Sequence, residues 1–249
     1  MKNYLIPLLA VIMIAANVSC KKTSNSTTTA TTDTIPAVYK KIYGVSSMYI
    51  DGSYIVIVTK DLPDHKSPYY KGTQWESTMY EAYNGTSSFA ANPNVIETQT
   101  ITFRIPLNPA EATSHAQTPL GPMGIALNGV PFFDQYAAGR AVLTTEIVSF
   151  DQYGGHPQQT GQYHYHEEPY YLTAKNGESA LVGFLLDGFP VYGPMENGKT
   201  LTSTDLDSYH GHFGVTADYP NGIYHYHTTA DAPYINGSGF YGTPGTVSQ

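Results

Sequence analysis

The chain has 249 residues, with 20 acidic against 12 basic side chains, and its formal net charge of −8 argues against nucleic acid as a partner. A single cysteine excludes a disulfide-stapled fold, so stability must come from a core and, where ligands permit, from metal. The 22 tyrosines, 23 glycines and 17 prolines favour short strands and many turns over helices.

Residues 1–20 read as a bacterial export signal: Lys2 supplies positive charge, Leu5 to Ala16 is an apolar run, and Asn17-Val18-Ser19 leads to Cys20. A lone exported cysteine in that place is the expected lipidation site of a lipoprotein, with Asn17 where such signals usually carry Leu. An ordinary signal peptide or a short anchor is the alternative, although the apolar run falls short of the ~20 residues that a spanning helix needs. Residues 21–36, rich in Ser and Thr, read as a tether from membrane to domain. The expected location is therefore the bacterial cell envelope, lipid-anchored at the outer membrane.

Next in the chain, residues 37–120 supply strands and loops. Tyr54-Ile55-Val56-Ile57-Val58 is a strand candidate, and Thr100 to Ile105 is another with cleaner alternation. Leu62-Pro63-Asp64-His65 and the stretch from Asn84 to Asn94 read as ordered loops. A short helix is expected over Pro109 to Ala116, with Asn108 as its cap and Pro109 at the first helical position, leaving His115 solvated.

From 121 onward a frame repeats. Gly124-Ile125-Ala126-Leu127-Asn128-Gly129-Val130-Pro131-Phe132-Phe133 matches Gly183-Phe184-Leu185-Leu186-Asp187-Gly188-Phe189-Pro190-Val191-Tyr192 at an offset of 59. Gly155-His156 matches Gly211-His212 at 56, Tyr163-His164-Tyr165-His166 matches Tyr224-His225-Tyr226-His227 at 61, and Pro169-Tyr170 matches Pro233-Tyr234 at 64. Four landmarks in one order at nearly constant offset point to two units, 121–182 and 183–242, followed by a tail over 243–249. The Asn-Gly and Asp-Gly steps read as hairpin turns with positive φ at both central residues. The expected fold is all-β, mainly antiparallel with little helix, the two units of about 60 residues forming one domain.

In the Tyr-His-Tyr-His tetrapeptides the alternation has the period of a strand, which puts both imidazoles on one sheet face and both phenols on the other. Tyr163, Tyr165, Tyr224 and Tyr226 are then expected as a half-buried packing face. If the two strands meet, four imidazoles share one pocket; separate sites in each unit are the fallback.

At these residues the chain resembles the YHYH-domain family of bacterial exported proteins. Leu62-Pro63-Asp64-His65, Asn92-Pro93-Asn94, Gly154-Gly155-His156-Pro157 and Asp187 to Pro194 carry the resemblance together with the two tetrapeptides, over roughly residues 50 to 242. Members often place cysteines just before the Gly-His pairs, where Tyr153 and Tyr209 stand here, so imidazole must do whatever ligation is done. His210 adds a third His-x-His.

The same imidazoles either hydrogen-bond to neighbours or hold a metal, and their recurrence in a duplicated frame favours metal. The expected ligands are His156, His164, His166, His212, His225 and His227, with His65 and His210 as outer candidates. Ligation by imidazole without thiolate suits copper or zinc, and the flanking tyrosines tilt the expectation toward copper. Glu167 and Glu168 are candidate general bases, although Thr228 and Thr229 replace them in the second unit. Three functions follow from these residues: a metal-binding envelope lipoprotein, a metalloenzyme with copper redox or zinc hydrolytic chemistry, or a tyrosine-rich module for glycan or peptide.

Overall fold

The computed structural model describes Met1 and residues 34–249; the export signal, Cys20 and most of the tether lie outside the described residues. Residues 33–249 form one compact unit. Its strands in chain order are β1 (Ser47–Asp51), β2 (Tyr54–Thr59), β3 (Ile101–Pro106), β4 (Gly124–Ala126), β5 (Pro131–Phe132), β6 (Tyr136–Ala137), β7 (Ala141–Val142), β8 (Gly155–Pro157) and β9 (Tyr163–Tyr165). They continue with β10 (Leu181–Leu185), β11 (Pro190–Tyr192), β12 (Met195–Glu196), β13 (Lys199–Thr200), β14 (Gly211–Gly214), β15 (Ile223–His227) and β16 (Thr246–Ser248). Among the described residues helix is confined to short pieces, α1 (Glu76–Met79) and α2 (Tyr170–Asn176) among them.

A four-stranded antiparallel sheet has the order β1-β2-β3-β16. Its central strand β2 is β-branched at Ile55, Val56, Ile57 and Val58, residues that fit a pleated surface. In β3, buried Ile101, Phe103 and Ile105 alternate with partly exposed Thr102 and Arg104, so one face is committed to the core. Residues 246–248, expected in the tail, instead pair with β3 as β16.

An eight-stranded sheet runs β14-β15-β11-β10-β4-β5-β9-β8. Pairing is antiparallel throughout except between β11 and β15 and between β5 and β9, which are parallel. The order is symmetric about the β10–β4 pair, with each tetrapeptide strand second from an edge and each Gly-His strand at the edge. The inner face packs on the small sheet through a shared core that includes Ile55, Phe103, Phe132, Phe184 and all four motif tyrosines. Those tyrosines are between 0 and 4% exposed, so they are core residues rather than a half-buried face.

Both hairpins close with three-residue loops. Gly129 N donates to Ala126 O at 2.9 Å and Ala126 N to Val130 O at 2.8 Å; Gly188 N and Leu185 N make the same two bonds at 3.0 and 3.1 Å. Positive φ is confined to the glycines, 84° at Gly129 and 88° at Gly188, whereas Asn128 and Asp187 keep negative φ. The turn is thus the three-residue type with glycine at the left-handed bulge, not the two-residue turn expected. Each glycine also comes close to distant backbone: an added Cβ would lie 1.9 Å from Gly44 O, in the segment before β1, at position 129 and 2.6 Å from Pro106 O, at the end of β3, at position 188.

The helix expected over 109–116 does not form. Glu111 bridges Gly242, Gln117 bridges Gly239, and Ala112 N donates to Tyr241 O at 3.0 Å, so tertiary pairing overrides the local cap signal. His115 is correspondingly only partly exposed: it stacks on Tyr209 at 4.4 Å, and its Nδ1 donates to Phe240 O at 2.9 Å.

Candidate metal centres

Register explains why a Gly-His pair and a Tyr-His-Tyr-His tetrapeptide belong together. His156 on β8 stands directly opposite His164 on β9, and His212 on β14 directly opposite His225 on β15. Cross-strand partners share a face, as do residues two apart on one strand. Each strand pair therefore presents three imidazoles side by side, His156, His164 and His166 in one and His212, His225 and His227 in the other.

The glycine before each opposed histidine has a steric reason. A Cβ at Gly155 would lie 2.6 Å from the Tyr163 phenol oxygen, and one at Gly211 2.6 Å from that of Tyr224. These rings lie across the edge strand on the face opposite the histidines. They reach Asp151 and Asp207, whose carboxylates accept the Tyr163 and Tyr224 hydroxyls at 2.9 Å. The second tyrosine of each tetrapeptide is held by the hairpin loop: Asn128 Nδ2 donates to Tyr165 Oη at 3.0 Å, and Tyr226 Oη donates to Asp187 at 2.6 Å. Asp151 and Asp207 escaped the sequence reading, although a shared Asp-x-Tyr-x-Gly-His frame ends at His156 and at His212.

In the first triad, the Nε2 atoms of His156 and His164 are 3.1 Å apart and those of His164 and His166 are 3.0 Å apart. Two of their Nδ1 atoms face backbone carbonyls. His164 Nδ1–H donates to Gln162 O at 3.2 Å and His166 Nδ1–H to Asp134 O at 2.6 Å. His156 Nδ1 meets Ser149 Oγ at 2.7 Å and Asn92 Nδ2 at 3.3 Å, so its proton is not fixed by a carbonyl. With the protons of His164 and His166 on Nδ1, their Nε2 lone pairs face each other with no hydrogen between them.

The second triad repeats the scheme at His225 and His227. The Nε2 atoms of His212 and His225 are 3.2 Å apart, His225 Nδ1–H donates to Ile223 O at 3.0 Å, and His227 Nδ1–H donates to Gly193 O at 2.8 Å. His227 Nε2 is buried without a hydrogen-bond partner. Glu196 adds its carboxylate, 3.3 Å from His212 Nε2 and 3.6 Å from His225 Nε2.

Burial first, and then the neighbouring imidazoles, hold these rings neutral. His156 falls to about 3, His166 to about 4 through burial, His164 well below the usual imidazole range, and His227 to about 4. Bringing unprotonated nitrogens together in a dry site leaves their lone pairs in mutual repulsion, which a cation would relieve. A tetrahedral ion with bonds of ~2.0–2.1 Å would set its nitrogens about 3.3 Å apart, close to the 3.0 to 3.2 Å of the pairs His156–His164, His164–His166 and His212–His225, and all ligand atoms of each triad lie within 4.8 Å of one another.

The remaining expectations fare differently. One pocket shared by both tetrapeptides is not formed: β9 and β15 are separated by five interstrand steps, which at ~4.8 Å each is about 24 Å. The connection between the units is long enough to send the second hairpin to the far side of β4, and the sheet keeps the two edges apart. His65 lies on the tyrosine side of the sheet, bonded to Tyr165 Oη at 3.0 Å and packed on Tyr153 at 4.4 Å. His210 takes the positive-φ position, 75°, that Gly154 fills in the first unit at 82°, and its Nε2 meets Thr229 Oγ1 at 3.0 Å. Neither joins a triad. Glu168 caps the Thr173 hydroxyl and Glu167 lines a separate cavity, so the nearby carboxylates are Glu146 and Glu196 instead.

A domain model described as YHYH protein matches residues 102–204 and 195–239, more than half of the chain. The protein belongs to the YHYH family. No curated protein and no solved structure matches it.

Proposed function

We propose that this protein binds two divalent transition-metal ions, zinc or copper, one in each histidine triad, while a lipid on Cys20 holds it to the bacterial cell envelope. The observation that carries the reading is the convergence of Nε2 lone pairs, with the Nδ1–H groups of four of the six imidazoles fixed by backbone carbonyls. A hydrogen-bonded cluster would instead alternate donors and acceptors. The two triads would descend from one unit of about 60 residues present twice.

Between the two metals, the donor set favours zinc. Each triad has a carboxylate beside it, and three imidazoles with a carboxylate or an open position form a donor set that zinc takes in four-coordinate sites. The motif tyrosines, which suggested copper, point into the core with their hydroxyls engaged. Their burial also removes the platform that a glycan-binding module would need.

The test is elemental analysis of the full-length chain in detergent after exposure to zinc and copper together, followed by dialysis. Two ions per chain are expected for the native protein and none for the His164→Ala, His166→Ala, His225→Ala, His227→Ala variant. Equal metal in both would sink the proposal.

A further inference from the structure

The two triads differ in what completes them. In the second, Glu196 belongs to the ligand set: its carboxylate and the three Nε2 atoms all lie within 4.8 Å of one another, giving four protein donors. In the first, only the three imidazoles meet that condition. Glu146 reaches His156 Nε2 at 3.4 Å but not the whole triad. Structural zinc sites are closed by four protein ligands, whereas sites that do chemistry keep three and leave a position free.

A cleft adjoins the first triad. His164 and His166 line a cleft of about 250 Å³, with Phe133, Tyr136 and Ala138 among its walls and Glu146 at its border. That is room for about eight waters at ~30 Å³ each. Phe133 stacks on His164 at 3.9 Å and Phe150 on His166 at 5.4 Å, fixing both rings so that their edges reach the cleft. No lysine or arginine lines it, while Leu120 and the amides of Gln158 and Gln159 do.

Resting on the metal reading above, we infer that the centre of His156, His164 and His166 takes a further ligand from this cleft, and that the centre of His212, His225, His227 and Glu196 is closed and structural. The cleft's chemistry selects the ligand. An apolar wall with neutral amides and one carboxylate favours a small uncharged molecule with an apolar body and a single nitrogen or carbonyl donor for the ion. Glu146 and the absence of a lysine or arginine from the lining offset part of the pull that the ion's own positive charge exerts on small anions.

Cobalt(II) absorption reports coordination directly. The full-length chain in detergent is loaded with cobalt as two variants, His225→Ala/His227→Ala to isolate the first centre and His164→Ala/His166→Ala to isolate the second. Imidazole serves as the neutral probe and acetate as the anionic one. The first centre should show a saturable spectral change with imidazole and at least a tenfold weaker response to acetate, while the second shows none. Ala138→Trp, which fills the cleft from its exposed rim, should keep the cobalt and lose the imidazole response at least tenfold.

Failure of either centre to hold cobalt counts against the metal reading itself. Cobalt held in both with no response at the first, an equal response at the second, or an Ala138→Trp response like that of the parent would overturn the present inference. Glu146→Gln gives an independent check. If it weakens cobalt retention at the first centre as much as Glu196→Gln does at the second, the first centre is closed too.

Discussion

At the scale of single residues, the glycines of the Gly-His pairs are as constrained as the histidines. Gly155→Ala forces a Cβ to 2.6 Å from the buried Tyr163 ring, and overpacking of this kind costs about 1–3 kcal/mol. Denaturant unfolding should show that loss, because the Cβ also meets the His164 carbonyl oxygen at 2.6 Å; an unchanged midpoint would mean that the edge strand shifts freely to make room. The imidazoles make a second prediction. A group held neutral by burial competes for protons only below its lowered value, so ions in the first triad should be retained as pH falls through 6.5, where exposed histidines release them. Release should come near the value of about 4 held by His166. Metal content measured against pH decides this, and release centred near 6.5 would show that the rings are solvated.

At the scale of elements, the hairpin loops matter beyond turning the chain. Asp187 accepts from Tyr226 Oη at 2.6 Å, from Gly242 N at 2.9 Å and from Phe189 N at 3.3 Å, and burial raises its carboxyl to about 6. Asp187→Ala would leave those donors without an acceptor, at a cost of about 1–3 kcal/mol for the buried phenol alone. Asp187→Asn, which keeps an acceptor oxygen and matches Asn128 of the first loop, should be much milder. Thermal unfolding of the pair measures the difference; equal losses would show that the carboxylate charge is what counts. Strands were the most legible elements in the sequence because Ile55 to Val58 and Ile101 to Ile105 carry strong local patterns. The false helix over 109–116 shows the converse, since Asn108-Pro109 is a sound local start signal that pairing with residues 239–242 overrides.

At the scale of the whole molecule, the two triads lie in opposite halves of one sheet, so they should load independently. His164→Ala/His166→Ala is expected to lower zinc content from two ions per chain to one, with the same result for His225→Ala/His227→Ala. Loss of both ions from either variant would indicate coupled or shared sites. The grouping of six histidines into strands that share a face was legible in the sequence because register follows from the period of two, which aligns Gly-His with the tetrapeptide. The separation was not legible, because it depends on where β10 inserts in the sheet, and one sequence gives no measure of that. Glu146 and Glu196 were equally hidden: they arrive from segments that do not correspond in the two units, one from the turns after β7 and one from β12.

The positions of the triads at the ends of the eight-stranded sheet have a further consequence. β8 and β14 are its terminal strands, each bonded to one neighbour within it, and such strands are where foreign chains add on and where fraying starts. An ion that joins His156 to His164, or His212 to His225, would act as a rivet through the outermost seam. Metal supply would then govern whether the protein keeps its margins sealed against unwanted self-association, quite apart from any chemistry the ions perform.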